Sequence, residues 1–149
     1  MDVHPTPDTL ENMVHRLIYL SAASAPMSDQ ALDELLRVAR SRNLSLNITG
    51  MLIYSKDFFV QVLEGDKPDI DAVYFESIVF DPRHAAPYVM DESEIESRSF
   101  PDWTMGFRRL SRDAVAAEPG FFDLSTAQKN GAVTAEQKNF ALRMIYSFI

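Results

Sequence analysis

The 149 residues contain no cysteine and only five glycines. Without thiols there is no disulfide framework, no thiol nucleophile, no cysteine-ligated zinc and no iron–sulfur cluster. No apolar run approaches the roughly 20 residues that a membrane-spanning helix needs. The N-terminus, MDVHPTPDTLENMVH, lacks the cationic start and apolar stretch of a signal peptide, so the expected compartment is the cytoplasm. Basic residues are in deficit: 14 Lys and Arg against 22 Asp and Glu give a net charge of −8. That balance argues against broad binding to nucleic acid or to anionic membranes. Phosphate loops and the GxGxxG, HExxH and GxSxG motifs are missing as well. What the chain has is aromatics, 11% of it, as ten Phe, five Tyr and one Trp. Its length favours one domain able to bury a core without crosslinks.

The hydrophobic pattern predicts an α+β order. Residues 1–15 read as an N-terminal arm, with a capping box from Asp8 to Glu11 and helical spacing of Leu10, Met13 and Val14. Arg16 to Ser21 is a compact apolar run, a buried strand. Ser28 is the expected N-cap of a helix whose inner face is Leu32, Leu35, Leu36 and Ala39. Arg37, Arg40 and Arg42 occupy its later part, where cations suit the helix dipole. Ile48 to Tyr54 and Phe58 to Glu64 form a hairpin around Ser55-Lys56-Asp57. A second helix starts at Asp66-Lys67-Pro68-Asp69, turns Ile70, Val73, Tyr74, Ser77 and Ile78 inward, and ends at Asp81-Pro82. Strands near Tyr88 to Asp91 and Thr104 to Arg109 flank an acidic loop. The order β-α-β-β-α-β-β is a ferredoxin-like sheet with two helices on one face and an extra strand. C-terminal helices follow, the last opening at Thr134 and Gln137. That final helix is apolar nearly all round from Phe140, so it wants burial on the sheet and against a second copy or partner, or complete burial in its own domain.

Chemistry must come from polar residues on apolar strand faces. Alternation sets Gln61 between Phe59 and Leu63, and Tyr19 between Leu17 and Ser21. A buried amide or phenol needs partners, since an unpaired polar group costs about 1–3 kcal/mol. Tyr19 and Gln61 either satisfy one another or face a polar heteroaromatic ligand. Asn43 either caps the first helix in left-handed geometry or reads a ligand. Gly50 marks a close approach by a backbone or a ligand. Trp103, Met105 and Phe107 share one face of the last strand if alternation holds there. His84 reads as a surface or structural histidine. The alternating Glu92, Glu94 and Glu96 read as a solvated acidic face rather than a carboxylate site.

Taken together, RLIYLS (16–21), LLRVARSRN (35–43), ITGMLIY (48–54), FFVQVLEG (58–65), DPRH (81–84) and RSFPDWTMGF (98–107) resemble the BLUF family of blue-light sensors that use FAD. The resemblance covers residues 14–110. It implies a flavin held between the two helices, with Tyr19 as the photoactive tyrosine and Gln61 as the switching glutamine. Asn43, Arg83 and His84 match cofactor-binding positions, and Trp103 and Met105 match the pair that relays the signal. Asn47 departs from the small or acidic residue more usual before ITG. The implied division is an arm at 1–15, a photosensor domain at 16–110 and a helical extension at 111–149. No catalytic motif lies in that extension, so the expectation is a sensor without an enzyme of its own. Its output goes to a separate signalling protein or through a homo-oligomer, with no metal, nucleic acid or membrane involved. The competing readings are a ferredoxin-like small-molecule module without light response, and a small flavoenzyme.

Overall fold

A computed structural model describes residues 13–55, 58–109 and 142–145. The elements are β1 (Val14–Ala23), α1 (Asp29–Leu46), β2 (Thr49–Ser55), β3 (Phe58–Gly65), α2 (Lys67–Ala72) running on into a π-helical turn (Val73–Ile78), β4 (His84–Ile95) and β5 (Gly106–Arg109). The predicted order is therefore the observed one. Residues 1–12, with the Asp8–Glu11 capping box, lie outside the described residues, as do Lys56, Asp57, Thr134 and Gln137. Val14 is not helical; it opens β1.

One five-stranded sheet has the order β4-β1-β3-β2-β5. β1 pairs antiparallel with β3 and with β4, β2 antiparallel with β3, and β5 parallel with β2. Placing β3 between β1 and β2 is the split βαβ arrangement, and β5 is the extra strand at the edge. In the β1–β3 ladder Tyr19 stands directly opposite Gln61.

The two faces of the sheet carry separate apolar clusters. Leu17, Tyr19, Leu52, Phe59 and Leu63 join Leu32, Leu35 and Leu36 of α1 and Ile70, Val73, Tyr74 and Ile78 of the second helix. The even-numbered residues Ile18, Leu20, Val60 and Val62 point the other way, against Phe100, Met144 and Ile145. Residues 142–145 are helical and pack on this back face, as an apolar terminal helix requires. Both faces of β2 and β3 are thus covered, and every residue of both strands is buried.

Ser28 caps α1 as expected, in extended geometry, its side chain accepting from Ala31 N at 3.1 Å. The left-handed residue at the other end is Asn47 (φ 55°), not Asn43, because the helix runs one turn further. For the same reason no basic residue occupies its last turn; Arg40 instead reaches the Met105 carbonyl at 2.9 Å. The π-helical turn widens the second helix and rotates its later residues, so Ser77 is exposed rather than inward. Phe75 and Phe80 are exposed there as well. β4 is longer than its apolar centre indicates. It takes in Glu92 and Glu94, which replace the start of the expected acidic loop because their alternation is that of a strand paired with β1. A Cβ on Gly50 would lie 1.9 Å from the Val62 carbonyl oxygen, so a backbone sets the need for glycine there.

Candidate functional site

The central strands deliver the polar pair. Tyr19 is 1% exposed and Gln61 4%. The Tyr19 hydroxyl donates to Gln61 Oε1, and Gln61 Nε2 donates to Met105 Sδ at 3.2 Å. Tyr19 and Gln61 therefore satisfy one another, as one of the two sequence readings required. Among the described residues the other end of the amide is held only by a thioether, a weak acceptor. Burial, helped by the neighbouring Tyr74, pushes the Tyr19 phenol well above its ordinary range, although Arg42 pulls it down. The phenol is therefore a donor at any physiological pH.

Tyr74 lies with its ring centroid 5.3 Å from that of Tyr19. Burial and the Glu92 carboxylate push its hydroxyl up to about 12. Sequence reasoning placed Tyr74 in the core but missed this neighbour of the pair; its register above β1 was the missing information. His84, read as a surface or structural residue, sits 5.9 Å from the Tyr19 ring and 4.5 Å from Phe59, and its Nδ1 lies 2.7 Å from Ser21 Oγ. Burial lowers His84 to about 4, with Arg83 acting in the same direction and Asp81 against it.

That depression has a sign in stability. The unfolded histidine binds a proton near pH 6.5 and the folded one resists until about pH 4. The contribution is complete above pH 6.5 and is lost as the pH falls to 4, amounting to about 3 kcal/mol at most. His84→Gln is expected to flatten the melting-temperature profile of the flavin-free protein across that window. Equal acid sensitivity in variant and wild type would remove His84 from the account.

A narrow cleft of about 50 Å³ lies between α1 and the π-helical turn, above Gln61. Leu35, Val38 and Ala39 of α1 and Ile78 opposite give it apolar walls; Arg42, Gln61, Arg83 and His84 supply the polar groups. Arg83 is tethered by its guanidinium and backbone N–H to Asp81, whose carboxyl those contacts hold low in spite of burial. Apolar walls above an amide with one weakly satisfied end are the chemistry that suits a planar heteroaromatic ring such as flavin, and the side chains of the cleft would have to part to admit one.

Asn43 is fully buried inside α1, away from the lining of the cleft. Its Nδ2 donates to the Thr104 carbonyl at 2.8 Å and its Oδ1 accepts from Arg42 Nε. Trp103 and Met105 do not share a face, because β5 begins only at Gly106 and alternation does not apply before it. Met105 is buried against Gln61, whereas Trp103 is 46% exposed, stacks near Phe100 at 5.7 Å and covers Gly106. The Trp103 carbonyl accepts from Gly50 N at 2.9 Å, so the close approach at Gly50 also ties this loop to β2.

Comparison with known proteins identifies this architecture. Residues 14–106 match the family described as BLUF, Sensors of blue-light using FAD. A photoactivated adenylate cyclase subunit beta of Euglena gracilis is 39% identical over 108 residues, 71% of this chain but 12% of that subunit. The chain thus spans about an eighth of such a relative. Among solved structures, the dark state of BlrB, a BLUF protein, is 30% identical with a TM-score of 0.63, over 93% of this chain and 98% of that one. Klebsiella pneumoniae BlrP1, solved with FMN and cyclic diGMP, is 34% identical with a TM-score of 0.59, over 65% and 26% of the two chains. The chain belongs to the BLUF family of flavin-dependent blue-light sensors.

Proposed function

We propose that the chain binds FAD in the cleft between α1 and the π-helical turn and signals blue light by switching the hydrogen bonds of Tyr19 and Gln61. The observation that carries this reading is the continuous buried chain from Tyr19 Oη through the Gln61 amide to Met105 Sδ, which meets the cleft at Gln61. Arg83 and His84 line that cleft and join the proposed cofactor-binding set; Asn43 belongs to it only if its amide leaves the Thr104 carbonyl and Arg42 when the ring enters. FAD is the flavin of the family description, although a neighbour was solved with FMN. Mass spectrometry of the released chromophore distinguishes the two.

When bound, a flavin supplies a ring that absorbs blue light and is a strong one-electron oxidant in its excited state. The rest falls to the chain. Tyr19 Oη holds its proton in the hydrogen bond to Gln61 Oε1, so losing an electron and passing the proton to that oxygen is the short route. The Gln61 amide has a donor end and an acceptor end, and half a turn exchanges them. After the turn an oxygen would face Met105 Sδ, which has no proton to give, and the 3.2 Å contact is lost. The light-driven change at Gln61 thereby becomes a change at the entrance to β5, a two-state element biased by a local hydrogen bond. Trp103, carried by the same loop, and residues 111–149 are the proposed output. They lead to a downstream signalling protein or to a changed homo-oligomer. Among the described residues no helix is long and apolar enough to cross a membrane.

Purified protein is expected to be yellow and to show a reversible red shift of its visible band under blue light. Tyr19→Phe is expected to retain flavin and lose that photocycle. A colourless chain that takes up no flavin, or a Tyr19→Phe variant with full photoactivity, would overturn the assignment.

A further inference from the structure

Four residues before Tyr19, on the same face of β1, a second polar cluster lies apart from the flavin cleft. His15 is 5% exposed. The β1–β4 register sets it opposite Glu94, with Glu92 opposite Leu17 two residues along. α2 brings Asp71 over the same place. One ligand atom from each of His15, Asp71 and Glu92 lies within 4.8 Å of the others.

Three details are not those of a simple ion pair. First, His15 Nε2 and Glu92 Oε1 are 3.3 Å apart. That is long for a charge-assisted hydrogen bond, usually about 2.7–2.9 Å. It matches the edge of a tetrahedron, about 3.4 Å, around an ion with bonds of about 2.0–2.1 Å. Second, the other ring nitrogen, Nδ1, is 2.6 Å from Glu94 Oε1. A carboxylate on the far nitrogen is the usual outer partner of a metal-bound histidine, fixing its tautomer and raising its basicity. Third, Asp71 Oδ1 has no hydrogen-bond partner among the described residues and is itself covered although the side chain is 31% exposed, while Oδ2 accepts from Lys67 Nζ at 2.6 Å. Buried carboxylate oxygens are rarely left unmatched.

Charge points the same way. Three carboxylates gather here, of which only Asp71 is paired with the Lys67 ammonium, and a cation would add the charge the other two lack. Glu92 is 40% exposed, which leaves an entry path and room for water as the fourth ligand.

We propose that His15 Nε2, Asp71 Oδ1 and Glu92 Oε1 form a three-ligand site for a divalent first-row transition ion such as Zn²⁺, with Glu94 orienting the imidazole. One nitrogen among oxygen donors favours such an ion over Mg²⁺ or Ca²⁺. The site is independent of the photosensory reading.

The test is calorimetric titration of Zn²⁺ into the untagged, chelator-treated full chain. One ion per chain is expected. His15→Gln should abolish the heat, and Glu94→Gln should weaken binding by about 10–100-fold. Glu92→Gln, at an exposed position, provides the ligand-loss measurement if the buried histidine cannot be replaced without unfolding. The proposal is overturned if the wild type takes up no Zn²⁺, or if the Glu92→Gln variant binds as tightly as the wild type.

Discussion

Replacing Gln61 by leucine is expected to leave a folded, yellow protein whose visible band no longer moves under blue light. Leucine fills most of the volume between Phe59 and Leu63 but has neither a donor nor an acceptor. The Tyr19 hydroxyl then loses its acceptor in a fully buried position, at a cost of about 1–3 kcal/mol. Within a stability of roughly 5–15 kcal/mol that is tolerable, so the fold should survive. What cannot survive is the exchange of donor and acceptor ends, since no amide remains to turn. The measurement is the light-minus-dark absorbance difference of the flavin-loaded variant. A shift of wild-type size would take Gln61 out of the switch. Met105 gives a second reading of the same loss, because its thioether releases Gln61 Nε2.

The largest stability effect is expected three residues further along β3. Glu64 is fully buried. One of its oxygens accepts from the backbone N–H groups of Ser99 and Phe100, at 2.8 and 3.0 Å, and the other from Arg16 at 3.0 Å. Arg98 adds bonds to the Glu64 and Asn47 carbonyls and to Thr49 Oγ1. Together these hold the connection between β4 and β5 that ends in Trp103 and Met105. Glu64→Leu removes the acceptor of two amide donors and leaves the largely buried Arg16 guanidinium with Ser99 Oγ in place of a counter-ion. Removing one partner of a buried pair costs about 3–5 kcal/mol. For a chain of this length that corresponds to roughly 6–20 °C in melting temperature. Thermal unfolding of the flavin-loaded protein checks it, and a drop of only a degree or two would show that the loop is held by other means.

The sequence was most readable where period and burial agree. Leu32, Leu35, Leu36 and Ala39 mark the buried face of α1 in both readings, and alternation along β1 and β3 placed Tyr19 and Gln61 on one side. Three kinds of information were not local. The end of α1 depends on which asparagine adopts the left-handed conformation, and Asn43 and Asn47 are equally able to do so. The inward face of the second helix depends on a π-helical turn that no 3.6-residue pattern anticipates, so Ser77 was misplaced. Trp103 and Met105 are two residues apart, as strand neighbours would be, yet they precede the strand and part company. His84 was undervalued because its partners, Ser21 and the Tyr19 ring, lie more than 60 residues away in sequence.

The facing of Tyr19 and Gln61 across the β1–β3 ladder also acts as a proofreading device for folding. A slip of one residue would turn Gln61 to the back of the sheet and set Val60 or Val62 opposite Tyr19. A slip of two would keep the face but offer Phe59 or Leu63, neither of which accepts a hydrogen bond. Either of these slips therefore buries a phenol opposite a side chain that cannot accept from it, whereas the correct register makes the floor of the cleft.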